Sequence, residues 1–404
     1  MNARRHGAAV LLALLGLLLL PAFAAAAPPK LEGRAWGLID ARSGDVLTSH
    51  ALNRALPIAS TTKLMTAYVA MKDLPLDRIV RAQPYDPEYG ESLMGLRVGQ
   101  RISVRDLLYG LILRSGNDAA HTLAIGAAGS ERRFVAQMNR YAAALGLSHT
   151  HYANPVGLDE KGNYSTALDL MTLTRRLLAI PAFAKIADSR RAVLASVHPR
   201  RRIETIDELL EMAPWVTGVK TGHTFGALYV LVGSGRKHGI GLISVVIGAP
   251  SDEARFDGSL ELLEWGFRQY RHKVPVRRGQ ELADPEIRYS GGRLPLRAQR
   301  AVAVGVRRGE HVEVRVRAPA EVEGPLRRGA RLGRATVLLE GRRVGEVALL
   351  TGRSVPKASA FDRARAFLSD NWRLIGIGAF VILVVAAILL FTRTRRKEAR
   401  SEFG

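Results

Sequence analysis

Apolar positions along this 404-residue chain change period several times. Ala35–Asp40 and Val46–Thr48 are short β-type runs around a polar turn at 41–45, which predicts a hairpin. Pro57 favours an extended or turning chain before it, and Leu64–Met71 propagates a helix well, so a helix is predicted to begin at Ser60. Residues 84–101 carry no period and read as a loop ending in Gly99. Ser103 to Asp106 form a capping-box pattern ahead of the apolar run Leu107–Leu113. Gly116 interrupts that pattern and residues 118–126 resume it, which predicts two helices joined at Ser115-Gly116-Asn117. Phe134, Met138 and Tyr141 share one face of a predicted helix over 130–145, and another runs from 165 to 180.

From residue 216 the period changes. Leu228–Gly233 and Ile240–Ile247 are short Val/Ile-rich runs separated by a polar loop at 234–239, which predicts a hairpin preceded by a strand through Lys220. Phe256, Leu260, Leu263 and Phe267 mark an amphipathic helix from about 252 to 271. Strands at both ends with helices between them predict an α+β domain over residues 31–272 with a largely antiparallel sheet. Residues 275–356 alternate over short segments such as Val312, Val314 and Val316, which predicts a small all-β domain. Residues 357–373 read as a juxtamembrane linker. Leu374–Phe391 carries no charge and Arg393, Arg395, Arg396 and Lys397 follow it. That pattern predicts a transmembrane helix at 374–391 with a basic cytoplasmic tail at 392–404. An in-plane anchor would need a polar face, which this stretch lacks.

Composition narrows the classes. Cysteine is absent, so disulfides, thiolate metal sites and cysteine nucleophiles are excluded. Arg4 and Arg5, the apolar run Ala8–Leu20 and Ala22-Phe23-Ala24 read as a signal peptide over 1–24, with cleavage after Ala26 as the alternative. Signal peptide and stop-transfer helix together predict residues 25–372 outside the membrane. The net charge of +22 suits anionic polymers or lipid headgroups. No aromatic-studded basic stripe or nucleic-acid motif accompanies it, so no nucleic-acid partner is expected.

The chemistry lies in three triplets. Ser60 and Lys63 stand three residues apart at a helix start, on one face, and a neutral lysine amine can take a serine's proton. Ser115-Gly116-Asn117 and Lys220-Thr221-Gly222 follow in order at domain-scale separation. S-x-x-K, S-x-N and K-T-G are the set shared by penicillin-binding proteins and class A β-lactamases. With Asn117-Asp118-Ala119-Ala120, Asn154–Leu158 and Tyr164–Leu170, residues 33–350 resemble the low-molecular-weight penicillin-binding proteins of the D-alanyl-D-alanine carboxypeptidase (peptidase S11) type. Thr205–Leu210 departs from the Asn-rich run usual there, which puts contacts at the site rim in question. The spanning anchor departs too, since many relatives lie in the interface.

The resemblance implies the penicillin-binding/β-lactamase-like transpeptidase fold and a role for each residue. Ser60 attacks a carbonyl and is acylated. Lys63 takes its proton, kept neutral by burial and by Lys220. Ser115 relays the proton to the departing amine, and Asn117 holds Lys63 or the substrate backbone. Lys220 and Thr221 bind the terminal carboxylate, Gly222 leaves room for the peptide, and the amides of Ser60 and His223 form the oxyanion hole. The implied substrate is a peptidoglycan stem peptide ending in D-Ala-D-Ala, with β-lactams as inhibitors and no cofactor. Rival classes fare worse on the residues. His149 and His151 have a metal-site spacing but no third ligand in pattern. Ser60 has no G-x-S-x-G elbow for a triad with His223. The Glu-x-x-Leu-Asn deacylation pattern of a β-lactamase is missing between Ser115 and Lys220. A membrane-tethered penicillin binder with little turnover stays open at this point.

Overall fold

The computed structural model describes residues 27–401, so the expected signal peptide at 1–24 lies outside the described residues. Described residues up to Arg271 form one compact unit, and those from His272 form another.

In the first unit, strands β1 (Ala35–Asp40) and β2 (Val46–His50) make the expected hairpin, and a 3₁₀ turn over Ala59–Thr62 leads into helix α1 (Lys63–Asp73). A short ribbon of β3 (Ile79–Arg81) and β4 (Arg101–Ser103) brackets the irregular loop. Helices α2 (Val104–Leu113), α3 (Asn117–Ala128), α4 (Glu131–Ala144), α5 (Ala167–Leu178) and α6 (Pro181–Ala187) follow. The ribbon of β5 (Arg191–Leu194) and β6 (Arg201–Glu204) and the single turn α7 (Leu209–Met212) precede β7 (Val216–Thr224), β8 (Leu228–Lys237) and β9 (Ile240–Ala249). Helix α8 (Asp252–Arg268) closes the unit. Serine or threonine caps four of these helices: Ser103, Ser130, Thr166 and Ser251 each accept a backbone N–H of the first turn, which satisfies a donor the helix itself cannot.

The sheet runs in the order β2-β1-β9-β8-β7 and every neighbouring pair is antiparallel. Its period of two divides the unit into two cores. Ala35, Ile39, Val230, Val232, Ile243, Val245 and Ile247 join helices α1 to α6 on one face. Trp36, Leu38, Leu231, Leu242 and Val246 join Phe256, Leu262 and Leu263 of α8 on the other. Burial on both faces is why β8 and β9 read as unbroken apolar runs although the sheet is antiparallel. The hairpin between them is tighter than the sequence pattern predicts. Strand β8 continues through Ser234–Lys237, and the turn is His238-Gly239 alone, both residues with positive φ. That is the sense of turn that matches strand twist.

The second unit is sheet-rich. Its larger sheet orders Glu281–Ala283, Leu296–Ala298, Arg342–Thr351, Arg331–Leu339 and Val312–Arg317, all antiparallel. Leu294, Leu296, Val304, Val337 and Leu349 fill its core. Helix Ala360–Asp370 starts in a capping box between Ser359 and Asp362. Helix Trp372–Ser401 follows, and its Trp372–Leu389 stretch is long and apolar enough to cross a membrane.

Candidate active site

Ser60 sits in the 3₁₀ turn just ahead of α1, and Lys63 is the first residue of that helix. The three-residue spacing brings Lys63 Nζ within 2.8 Å of Ser60 Oγ. Lys63 is fully buried, and its Nζ also donates to the carbonyl of Val156 at 2.6 Å. The Asn154–Gly157 loop that carries this carbonyl is fastened twice. Thr66 Oγ1 donates to Pro155 O at 2.6 Å, and Asn154 Oδ1 accepts the N–H of Gly157 at 2.7 Å. Gly157 has φ +92°, and a Cβ there would lie 2.1 Å from Ala59 O, so only glycine lets the loop close on the Ser60 turn. Burial, and after it the positive charge of Lys220, pushes the Lys63 amine well below its ordinary pKa, against the smaller pull of Glu91 and Asp118. The shift favours the neutral amine beside the Ser60 hydroxyl.

The second triplet lies between α2 and α3, where the interrupted helical pattern puts it. Ser115 is buried with φ +57°, and Asn117 is the first residue of α3. The expectation that Asn117 holds Lys63 or the substrate backbone needs an addition. Its Nδ2 donates to Glu91 Oε2 at 2.6 Å, and its buried Oδ1 has no hydrogen-bond partner in the structure. Glu91 belongs to the irregular loop, which is stitched to the start of α3. Asn117 N–H donates to Ser92 O, and the Asp118 carboxylate accepts from Met94 N and Leu96 N.

The third triplet lies on β7. Gly222 runs against the Ser60 turn so closely that a Cβ there would lie 2.9 Å from Ser60 N and 3.0 Å from Ala59 Cβ. Ser60 N and the bare strand therefore share one corner of the site. His223 packs against Tyr229 of the neighbouring strand, the rings tilted by 34° with centroids 4.3 Å apart. Thr221 is buried, as is Lys220, whose Nζ donates to Thr221 O at 2.7 Å. Behind this strand lie two residues the sequence reading did not assign to the site. Asp207, in the divergent Thr205–Leu210 segment, is 4% exposed and has a carboxylate oxygen without a partner. The segment thus brings a buried acid close enough to Lys220 for their charges to interact. Arg255 of α8 donates to Gly222 O at 2.8 Å and Val230 O at 3.2 Å. Burial lowers the Lys220 pKa to about 7, with Asp207 opposing the shift and Arg255 adding to it. Burial raises Asp207 to about 6, with Lys220 opposing. No motif spacing signals Asp207 or Glu91, which lie in a short segment with two adjacent acids and in a loop without period.

The remaining candidates fall elsewhere. His151 Nδ1 bonds to Gly162 O at 2.6 Å and its ring stacks on Tyr164, while His149 Nδ1 bonds to Ser148 Oγ. Among the described residues no group of three or more His, Asp or Glu side chains is placed to hold a metal ion.

Residues 22–251 match the family model described as D-alanyl-D-alanine carboxypeptidase, peptidase S11. D-alanyl-D-alanine carboxypeptidase DacC of Escherichia coli (strain K12) is 32% identical over 357 residues, covering 84% of this chain and 88% of that protein. DacB2 of Mycobacterium tuberculosis is 37% identical over 247 residues, covering 59% of this chain and 84% of that protein. Among solved structures, penicillin binding protein 6B from Escherichia coli superposes with a TM-score of 0.59 at 30% identity, covering 81% of this chain and 98% of that one. Penicillin binding protein 5 from Haemophilus influenzae gives 0.57 at 28% identity, covering 82% and 99%.

Proposed function

The chain belongs to the D-alanyl-D-alanine carboxypeptidases of the peptidase S11 family and is a D-Ala-D-Ala carboxypeptidase, and we propose that it works through an acyl-enzyme on Ser60. The observation that carries this reading is the buried Lys63 amine 2.8 Å from Ser60 Oγ. In its neutral form the amine accepts the hydroxyl proton as Ser60 Oγ attacks the penultimate D-alanine carbonyl. The backbone N–H groups of Ser60 and His223 receive the oxyanion, where fixed donors contribute most. Ser115 passes the proton to the departing D-alanine nitrogen, the C–N bond breaks, and water then hydrolyses the ester. Lys220 and Thr221 hold the terminal carboxylate. The close approach of Gly222 to Ser60 supports a peptide lying along β7, since a side chain there would fill the space. β-Lactams acylate the same serine and inhibit.

The biological substrate is the peptidoglycan stem peptide, and the enzyme acts outside the cytoplasm. Residues 1–24 are removed as a signal peptide, residues 31–272 are the catalytic domain, 275–356 the β-domain and 357–373 a linker. Residues 374–391 span the membrane and 392–404 face the cytoplasm. The apolar stretch followed by a basic segment supports this orientation. Protease added to wall-stripped cells should spare an epitope fused after Gly404; its digestion would contradict the spanning anchor. For the chemistry, D-alanine release from a peptide ending in D-Ala-D-Ala should vanish in Ser60→Ala, and release that persists would refute the Ser60 assignment.

A further inference from the structure

We propose that Glu91 is a positioning residue: its carboxylate dictates which end of the Asn117 amide faces the reacting groups. The inference rests on the assignment of Asn117 to the catalytic site. A carboxylate can only accept hydrogen bonds, whereas an amide presents two donors at one end and an acceptor at the other. The 2.6 Å contact between Glu91 Oε2 and Asn117 therefore fixes Nδ2 toward Glu91 and turns Oδ1 away from it. That oxygen is buried and without a partner in the protein, and a dry acceptor left open in this way is costly unless a donor arrives. Lys63 Nζ is committed to Ser60 Oγ and Val156 O, so the donors left for this oxygen are the N–H groups of a bound peptide.

Glu91 is itself held in place. Tyr85 Oη donates to Oε2, and the Glu88 N–H donates to Oε1 at 3.0 Å. Burial alone would raise the Glu91 pKa. The bonds from Tyr85, Asn117 and Glu88, with the charge of Lys63, outweigh it and hold the carboxyl below its usual value. Glu91 is thus ionised, and hence purely an acceptor, at neutral pH. Its charge also acts on Lys63, which faces Lys220 as an opposing cation and Asp118 as a second anion. Removing the Glu91 charge lets the Lys63 pKa fall further, so free amine persists to lower pH.

The test is a swap, read as the second-order rate of labelling by a fluorescent penicillin. In Glu91→Gln the new amide can donate to Asn117 Oδ1 and stabilise the reversed orientation, so labelling should slow about tenfold. In Asn117→Asp two carboxylates repel across the same contact, and labelling should slow at least as much. In the double variant, Glu91→Gln with Asn117→Asp, the introduced amide donates to the introduced carboxylate. That restores one acceptor oxygen toward the site, so labelling should be faster than in Asn117→Asp alone. The acid limb of the rate profile should also move to lower pH in Glu91→Gln, a shift that a purely structural contact would not produce. Wild-type labelling in Glu91→Gln, or a double variant no faster than Asn117→Asp, would overturn the inference. Ser60→Ala, run alongside, separates the two levels. Labelling that survives there contradicts the Ser60 site itself, whereas labelling lost there but unaffected by Glu91→Gln contradicts only the role of Glu91.

Discussion

Lys63 Nζ lies 2.8 Å from Ser60 Oγ in a position fully closed to solvent, with the Val156 carbonyl as its other partner. Lys63→Met keeps the length of the side chain and removes the base. General-base catalysis typically contributes about 10²–10⁴-fold, so penicillin acylation should slow by roughly that factor. Thermal melting should change little, because removing the desolvation cost of a buried amine offsets the loss of the donor to the Val156 carbonyl. Acylation at the wild-type rate would remove Lys63 from the proton path.

Lys220 separates recognition from chemistry. If Lys220 holds the terminal carboxylate as proposed, Lys220→Ala removes a charge-assisted contact on the order of 1.5–3 kcal/mol, so kcat/KM should fall about ten- to a hundredfold. Burial is the main cause that lowers the Lys63 pKa, and Lys220 is the next. Without Lys220 the Lys63 pKa rises, and the acid limb of activity moves to higher pH. Wild type should prefer a free-acid substrate over its carboxyl-terminal amide, and Lys220→Ala should lose most of that preference. Lys220→Arg should restore part of the rate but not all, since a guanidinium is larger and differently shaped. Undiminished discrimination in Lys220→Ala would exclude it as the carboxylate clamp.

Asp207 sets how long Lys220 keeps its proton. Burial lowers Lys220 to about 7 and Asp207 opposes that shift. In Asp207→Asn the opposition is gone, so Lys220 loses its proton at lower pH. The alkaline limb of kcat/KM for the free-acid substrate should then move to lower pH, with KM rising more than kcat falls. A KM profile superimposable on wild type would show that Asp207 does not act on the clamp.

Gly157 tests the floor of the site. An alanine Cβ there would sit 2.1 Å from Ala59 O at a backbone φ of +92°. The left-handed conformation alone costs a non-glycine residue about 1–2 kcal/mol, and relieving the clash must move the Ser60 turn or the Val156 carbonyl. Gly157→Ala should lower the melting temperature by several degrees and slow acylation more than substrate binding. A variant with wild-type acylation would mean that the loop and the Ser60 turn are not coupled.

The residues legible in the sequence are those that local geometry brings together. Ser60 and Lys63 meet because a helical turn has that spacing, and Gly116 marks the break between helices that holds the second triplet. The strands of the main sheet and most of the helices were legible from their period and caps. Glu91 and Asp207 were not, because tertiary packing carries them to Asn117 and Lys220 from segments without a period of their own. The divergence at Thr205–Leu210 was visible, but its consequence was not. A segment read as site rim turns inward and sets a buried acid near Lys220. The shortened turn at His238-Gly239 was missed for a related reason. Ser234–Lys237 looks like a polar loop, yet pairs with β9 as a continuation of β8.

The central claim is that Ser60 carries the acyl group. Trypsin should release Ala55–Lys63, which contains Ser60, as one peptide, since Arg54 and Lys63 bound it. After reaction with a penicillin, mass spectrometry of the digest should place one adduct on Ser60 of that peptide, and Ser60→Ala should carry none. An adduct on Ser115 or on any other peptide would contradict the account.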